Sequence, residues 1–158
     1  MTAAFAVALA GVSVLILLAR LVVPQLPLAG RSVRLSVVDA VLLVCGVVGL
    51  AFHCFAMFYR SLFDGIGPLG PLVDMVNAMN AASIILFVVP ALLVLIGLRR
   101  HYRVALAVLA LTLLVVGVTM YAGSPLNVHL GAIFVAVIAL AGHVALFVIP
   151  PWQHAAQP

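Results

Sequence analysis

Five long apolar stretches, separated by short polar or proline-rich segments, account for most of the chain. Each is about 20 residues or longer, which is the length that a helix needs to cross about 30 Å of hydrocarbon. The pattern therefore predicts an all-α membrane protein with one polytopic domain over residues 1–158. The five transmembrane helices are predicted at about 3–23, 36–59, 77–98, 102–121 and 125–149.

The start of the second helix carries a capping signal. Ser36-x-x-Asp39 has the spacing of a capping box, in which the serine and the acidic side chain satisfy free N–H groups of the first turn. An ionisable residue in a membrane segment is also a candidate for transport. Asp39 lies one turn from the polar edge and near Arg31 and Arg34, so we interpret it as a helix-start residue.

The longest polar segment lies between the second and third apolar stretches. Residues 60–76 contain several glycines and prolines, which predict an irregular external loop. Pro71 suits the first turn of a helix and predicts that the third helix begins early, as a polar extension of the apolar run. Pro90 predicts a kink or a packing bend in that helix. Ser124 and Pro125 predict the N-cap and first residue of the fifth helix.

The composition excludes a soluble domain and a nucleic-acid-binding protein. The chain is 68% hydrophobic and 6% charged, which leaves too little polar surface to cover a soluble core. Its net charge is +4, but the basic residues are scattered between apolar runs and form no phosphate-binding face. The lipid bilayer is therefore the predicted environment.

The distribution of arginine predicts the orientation. Six of the seven arginines fall in or beside the connections after the first and third helices, and Arg60 alone falls on the other side. Because basic residues favour the cytoplasmic side, we expect an external N-terminus and a short cytoplasmic tail at 150–158. Arginine without lysine, together with abundant alanine, valine and leucine, is typical of a GC-rich bacterium. The predicted location is the bacterial inner membrane.

Candidate metal or cofactor ligands cluster at the predicted outer ends of the helices. His53, Cys54 and Met57 end the second helix, and His129 begins the fifth. Imidazole, thiolate and thioether groups suit copper(I), and one or two imidazoles suit a b-type haem. His53 and His129 are thus candidate cofactor ligands, and the three residues on the second helix are candidate copper ligands. The alternative is that His53 makes a hydrogen bond to Asn77, to Asn80 or to a main-chain carbonyl.

Two other arrangements follow from the polar residues. Asp74, Asn77 and Asn80 recur every three residues, and they could form the polar path of a small transporter. His129 and His143 lie fourteen residues apart and nearly on one helix face, as stacked haems would require. His101 is expected to be solvated in the basic turn. A dihaem cytochrome therefore lacks its fourth histidine, and a single haem or copper ion is the alternative that we retain.

No constellation of residues predicts catalysis, since paired carboxylates at membrane depth, nucleophilic triads and phosphate-binding loops are missing from the sequence. Small residues such as Gly46, Gly49 and Gly131 favour close helix packing within the chain or against a partner. The first functional hypothesis is a non-catalytic accessory or structural subunit that contacts other membrane proteins or itself. The second is a redox or metal-handling protein with haem b or copper, and the third is a transporter.

Overall fold

A computed structural model of the protein describes residues 3–23, 25–28 and 30–152. Its elements are α1 Ala3–Val22, β1 Val33–Arg34, α2 Val37–Phe58, a 3-10 helix Arg60–Phe63, α3 Gly70–Asn77, α4 Ala81–Gly97, α5 Arg103–Tyr121, α6 Leu126–Phe147 and β2 Val148–Ile149. Within these ranges four helices are long and apolar enough to span a membrane, or five if α3 and α4 are one broken span. The predicted multi-helix apolar fold is confirmed at this level.

The third predicted helix is broken. Pro71 lies in the first turn of α3, as expected, but α3 ends at Asn77 and α4 starts afresh at a bend of 103°. Met79 makes the bend with a φ of 50°, and Asn80 caps α4 by accepting hydrogen bonds from the first N–H groups. The prediction that this polar stretch continues into the apolar run as one helix is therefore wrong. The segment 60–76, predicted to be irregular, contains the 3-10 helix and most of α3.

The closest helix pair is α2 with α4, and glycine makes it possible. A Cβ atom added to Gly46 would lie 2.7 Å from the Pro90 carbonyl oxygen, and one added to Gly49 would lie 2.6 Å from the Pro90 ring. Either substitution would force the helices apart. α4 continues through Pro90 as one helix, so the proline is accommodated by packing against these glycines. Gly131, by contrast, has open space around the position of a Cβ atom.

The remaining helices complete a bundle around a shared apolar core. α4 packs on α5, α5 on α6, and α6 on α1. Side chains of α4, α5 and α6, including Phe87, Leu113 and Ile133, meet in one buried cluster. Phe5 of α1 contacts Phe134 of α6, with 6.2 Å between ring centroids.

The connections that carry most of the arginines meet at one end, which we call the basic end. Here β1 and β2 pair in parallel, with Val33 opposite Val148. The Arg34 guanidinium donates to the Pro151 carbonyl, and the Arg20 guanidinium donates to the Val148 carbonyl. Residues 153–158 of the predicted tail lie outside the described residues.

Capping at the start of α2 is confirmed in part. Ser36 is the N-cap, and its hydroxyl accepts a hydrogen bond from the Asp39 N–H. The Asp39 carboxylate is buried, accepts from the Ser36 hydroxyl and pairs with Arg99 Nη1 at 2.5 Å. Its partner is thus an arginine from the α4–α5 turn. At α6 the predicted cap is wrong by one residue, because Pro125 occupies the N-cap position.

Candidate functional site

A cavity of about 320 Å³ lies between α1, α2, α5 and α6, toward the end opposite the basic end. Its walls are almost entirely apolar. Small residues of α1, such as Ala6 and Ala10, form one wall, and the last turns of α2 form the facing wall. His53, Cys54, Met57 and His129 all line this cavity, so the structure brings together every residue that we predicted as a metal or cofactor ligand.

His53 is buried on α2 with only 3% of its surface exposed. Its Nε2 atom lies 3.4 Å from Met120 Sδ of α5. A thioether sulfur can only accept a hydrogen bond, and it accepts weakly, so this contact places the ring proton on Nε2. Among the described residues Nδ1 has no hydrogen-bond partner. Neither His53 nitrogen therefore has a strong partner, and the predicted hydrogen bond to Asn77, Asn80 or a main-chain carbonyl is not made.

His129 is equally buried in the first turns of α6, but its tautomer is fixed. Nδ1 lies 2.9 Å from the Thr119 hydroxyl oxygen, and that hydroxyl also lies 3.0 Å from the Val116 carbonyl oxygen. Because a carbonyl only accepts, the hydroxyl proton goes to Val116 and the hydroxyl oxygen accepts the proton of His129 Nδ1. The lone pair of His129 is consequently on Nε2, the arrangement found in histidines that ligate metals.

Aromatic side chains surround both imidazoles. The Phe87 ring lies edge-on to His53 at a centroid distance of 5.7 Å, and the Phe58 ring lies 6.0 Å from His129. These contacts restrict the ring orientations. The site thus offers two oriented imidazoles in an apolar cavity.

The donor set limits which metals fit. Among the described residues no three His, Cys, Asp or Glu side chains are placed to hold a metal ion together. A structural zinc site, which takes four such ligands, is therefore not formed by these ranges. In the other tautomer, with the ring proton on Nδ1, His53 Nε2 and Met120 Sδ would both be free to bind one metal, and their separation of 3.4 Å is close to the roughly 3.5 Å expected between a nitrogen and a sulfur ligand of a tetrahedral ion.

The three residues of the predicted polar path make separate structural contacts. Asp74 pairs with Arg60 at 2.6 Å on the exposed surface. Asn77 donates to the main-chain carbonyls of Ala56 and Val73, and Asn80 caps α4. These side chains hold α3 against α2 and form the bend before α4.

A second histidine pair, His101 and His143, lies at the basic end, where the sequence had led us to set it aside. His101 was expected to be solvated, yet only 4% of it is exposed. Its Nε2 atom lies 3.2 Å from the Val33 carbonyl oxygen, and its ring centroid lies 5.7 Å from that of His143. The short β1 strand covers this pair. The available signal was the fourteen-residue spacing of His129 and His143, because it placed a histidine at each end of α6.

The fold and site define an all-helical protein with several apolar, membrane-length helices and a histidine-lined cavity. Comparisons with protein-family models, with curated proteins and with solved structures find no match to this chain.

Proposed function

We propose that the protein is a redox membrane protein that binds a b-type haem in the cavity, where His53 and His129 would ligate the iron. The observation that supports this proposal most strongly is the placement of two buried imidazoles from different helices on one apolar cavity. Haem iron needs only one or two protein ligands, because the porphyrin supplies four nitrogens. Two histidines are therefore sufficient for haem, whereas they are too few for a zinc site.

The size and lining of the cavity favour an organic cofactor over a bare ion. A volume of about 320 Å³ lies at the lower end of the range for small-molecule pockets, about 300–1,000 Å³. A metal ion bound directly by side chains needs no such space. α1 packs on α6, and the cavity separates it from α2, so a shift of α1 would widen the opening for a flat macrocycle.

Copper(I) is the second candidate for the same cavity. With the His53 ring proton on Nδ1, the 3.4 Å separation between His53 Nε2 and Met120 Sδ would suit two ligands on one soft metal, and Cys54 and Met57 line the same space. Both candidates belong to the redox or metal-handling class.

The accessory-subunit hypothesis has separate support. Gly131 lies on an exposed part of α6 with open space above it, as a helix from another subunit would require. Co-purification of a stoichiometric membrane partner, lost in a Gly131→Leu variant, would support this role. An unchanged association would end it.

The orientation and location are also proposals. Counting α3 and α4 as one broken span gives five spans, and the positive-inside rule then places the basic end in the cytoplasm of a bacterium and the cavity toward the outer face. A fluorescent reporter that works only in the cytoplasm, fused after Pro158, is expected to be bright. A dark but fully inserted fusion would reverse the orientation.

Haem titration of the purified protein tests the main proposal. We expect one equivalent of low-spin haem to be lost in both His53→Ala and His129→Ala, because each removes an axial ligand. Asn127→Ala is the control, since Asn127 is exposed and lies half a turn from His129. Copper(I) binding without haem binding would favour the second candidate. Binding of neither would contradict both.

Thr119 is expected to act as a positioning residue for His129. Thr119→Val removes the acceptor of the Nδ1 proton and should weaken haem binding about 10- to 100-fold, as is usual for a group that orients a metal ligand. Thr112→Val is the matched control, because Thr112 makes the same kind of main-chain hydrogen bond on α5, to Leu109, without contacting a histidine. Equal affinity in both variants would show that Thr119 has no role in positioning, and a shifted absorption band in Thr119→Val alone would support one.

A further inference from the structure

We propose that a second cavity, beside α3, binds a phospholipid whose headgroup carries a primary amine. This cavity has a volume of about 260 Å³ and lies between the 3-10 helix and α3, at the end of the bundle opposite the basic end. Among the described residues it shares no lining residue with the histidine-lined cavity. The inference therefore goes beyond the proposed haem binding and does not depend on it.

Charged side chains are concentrated in this cavity. The whole chain has only three acidic residues, and two of them, Asp64 and Asp74, line it. The third charged side chain of the lining is Arg60, the arginine that lies apart from the other six. Ligand pockets typically contain a small number of polar groups that converge on the ligand and fix its orientation. In a protein that is 6% charged, three charges around one cavity therefore point to a charged ligand.

The charges of the cavity do not balance. Arg60 Nη2 lies 2.6 Å from Asp74 Oδ1, so these two charges offset each other. Asp64 makes no salt bridge within the described ranges, which leaves one excess negative charge. A ligand that fills the cavity should therefore bring a cationic group. A metal ion fits poorly, because no three His, Cys, Asp or Glu side chains converge in the part of the chain that the structure describes.

Arg60 offers a binding group for an anion next to this cation. Its ion pair with Asp74 uses Nη2, and a guanidinium has five N–H donors in total. The Arg60 side chain is 62% exposed, so donors remain accessible to a ligand while the pair is kept. Guanidinium groups bind phosphate through charge-assisted hydrogen bonds, as carboxylates bind ammonium. An ethanolamine headgroup has both partners, an ammonium for Asp64 and a phosphate for Arg60.

The position of α3 favours a lipid over a free amine. α3 is turned by 103° from α4, so it lies across the end of the bundle. Val73 and Val76 of α3 are buried against α2, whereas Leu72 and Met75 remain exposed. Ile66, which lines the cavity, is also exposed. A helix with this placement lies at a membrane interface, where exposed apolar side chains contact acyl chains. A lipid can therefore occupy the cavity with its headgroup and cover this apolar surface with its chains.

Native mass spectrometry of the full-length protein in detergent tests the inference, with phosphatidylethanolamine and phosphatidylcholine as probes. The two headgroups carry the same charges, but the quaternary ammonium of phosphatidylcholine has no N–H donor. We expect one phosphatidylethanolamine per chain, bound about fivefold more tightly than phosphatidylcholine, which is the effect of a favourable ion pair at a surface. Asp64→Asn should abolish this preference, because it removes the carboxylate that binds the ammonium.

Two further variants separate the phosphate contact from general effects. Arg60→Gln should weaken the binding of both lipids about fivefold, because both carry the phosphate. Arg100→Gln is the matched control, since Arg100 is an exposed arginine at the basic end. Asp64 is exposed and makes no salt bridge within the described ranges, so Asp64→Asn should keep the melting temperature of the wild type in the same detergent.

Three results would overturn the inference. The first is equal affinity for the two lipids in the wild type. The second is a preference for phosphatidylethanolamine that survives Asp64→Asn. The third is equally tight binding of glycerophosphoethanolamine, which has the headgroup without acyl chains, because the occupant would then be a soluble amine. Haemin is absent from all these measurements, so their outcome and that of the haem titration are independent.

Discussion

Replacing Gly46 with alanine is expected to destabilise the protein by about 1–3 kcal/mol, the usual range for overpacking a well-packed core. The new Cβ atom would lie 2.7 Å from three atoms of α4, two of which are main-chain atoms of Pro90 and Val94. Main-chain atoms cannot move aside as a flexible side chain can. The closest helix pair of the bundle would therefore have to separate.

Gly131→Ala is the matched control for this experiment. Both glycines are helical, but nothing lies within 4 Å of a Cβ atom at Gly131. Alanine is the better helix former by about 1 kcal/mol, so this variant should be unchanged or slightly more stable. Thermal unfolding of both variants in one detergent is the measurement. An equal effect of the two substitutions would contradict the assigned α2–α4 packing.

Arg99→Gln is expected to destabilise the basic end by about 2–3 kcal/mol. Removing one partner of a fully buried ion pair costs about 3–5 kcal/mol, because the other charge is left in the interior. Here the Asp39 side chain is 3% exposed and the Arg99 side chain is 44% exposed, so solvent screening lowers the expected value. Asp39→Asn should cost less, since Arg99 can turn toward water and asparagine can still accept from Ser36.

The exposed pair Arg60–Asp74 provides the control. It has a similar separation, 2.6 Å, but both side chains are more than half exposed. Arg60→Gln should therefore change the stability by less than about 1 kcal/mol. In a double-mutant cycle, the variant with both Asp39→Asn and Arg99→Gln should lose less stability than the sum of the losses in the two single variants. Independent, additive effects would show that the buried pair contributes nothing.

The spans were predictable because hydrophobic length is a local property of the sequence. The runs that became α2, α5 and α6 are all long enough to cross the hydrocarbon layer, and their ends agree with the prediction to within three residues. The capping role of Ser36 was equally predictable, because its hydroxyl bonds to the N–H of a residue only three positions further along the chain. Such features need no knowledge of the tertiary fold.

The bend between α3 and α4 was not predictable in the same way. It is made by Met79, which adopts a positive φ, a conformation that glycine or asparagine usually signals. The polar residues before it read as a continuation of one helix. Their actual partners, Arg60 and the Ala56 carbonyl, come from earlier elements of the chain.

The sequence predicted the depth of the candidate ligands in the membrane, but it did not predict how they are arranged around a cavity. The sequence placed His53, Cys54, Met57 and His129 near one membrane face, and the structure adds that they share a cavity with Met120. The burial of His101 could not be foreseen, because it depends on β1 crossing the α4–α5 turn to reach β2. Helix order and strand pairing depend on contacts between distant parts of the chain, and local sequence patterns do not predict such contacts.

The central claim is that His53 and His129, from different helices, bind the same iron. Electron paramagnetic resonance of the ferric, haem-loaded protein tests it most directly, because the signal reports which side chains ligate the iron in the cavity. The expected result is a low-spin signal with two imidazole ligands, which is lost in both His53→Ala and His129→Ala. A signal from an imidazole and a thioether, or one that survives either substitution, would contradict it.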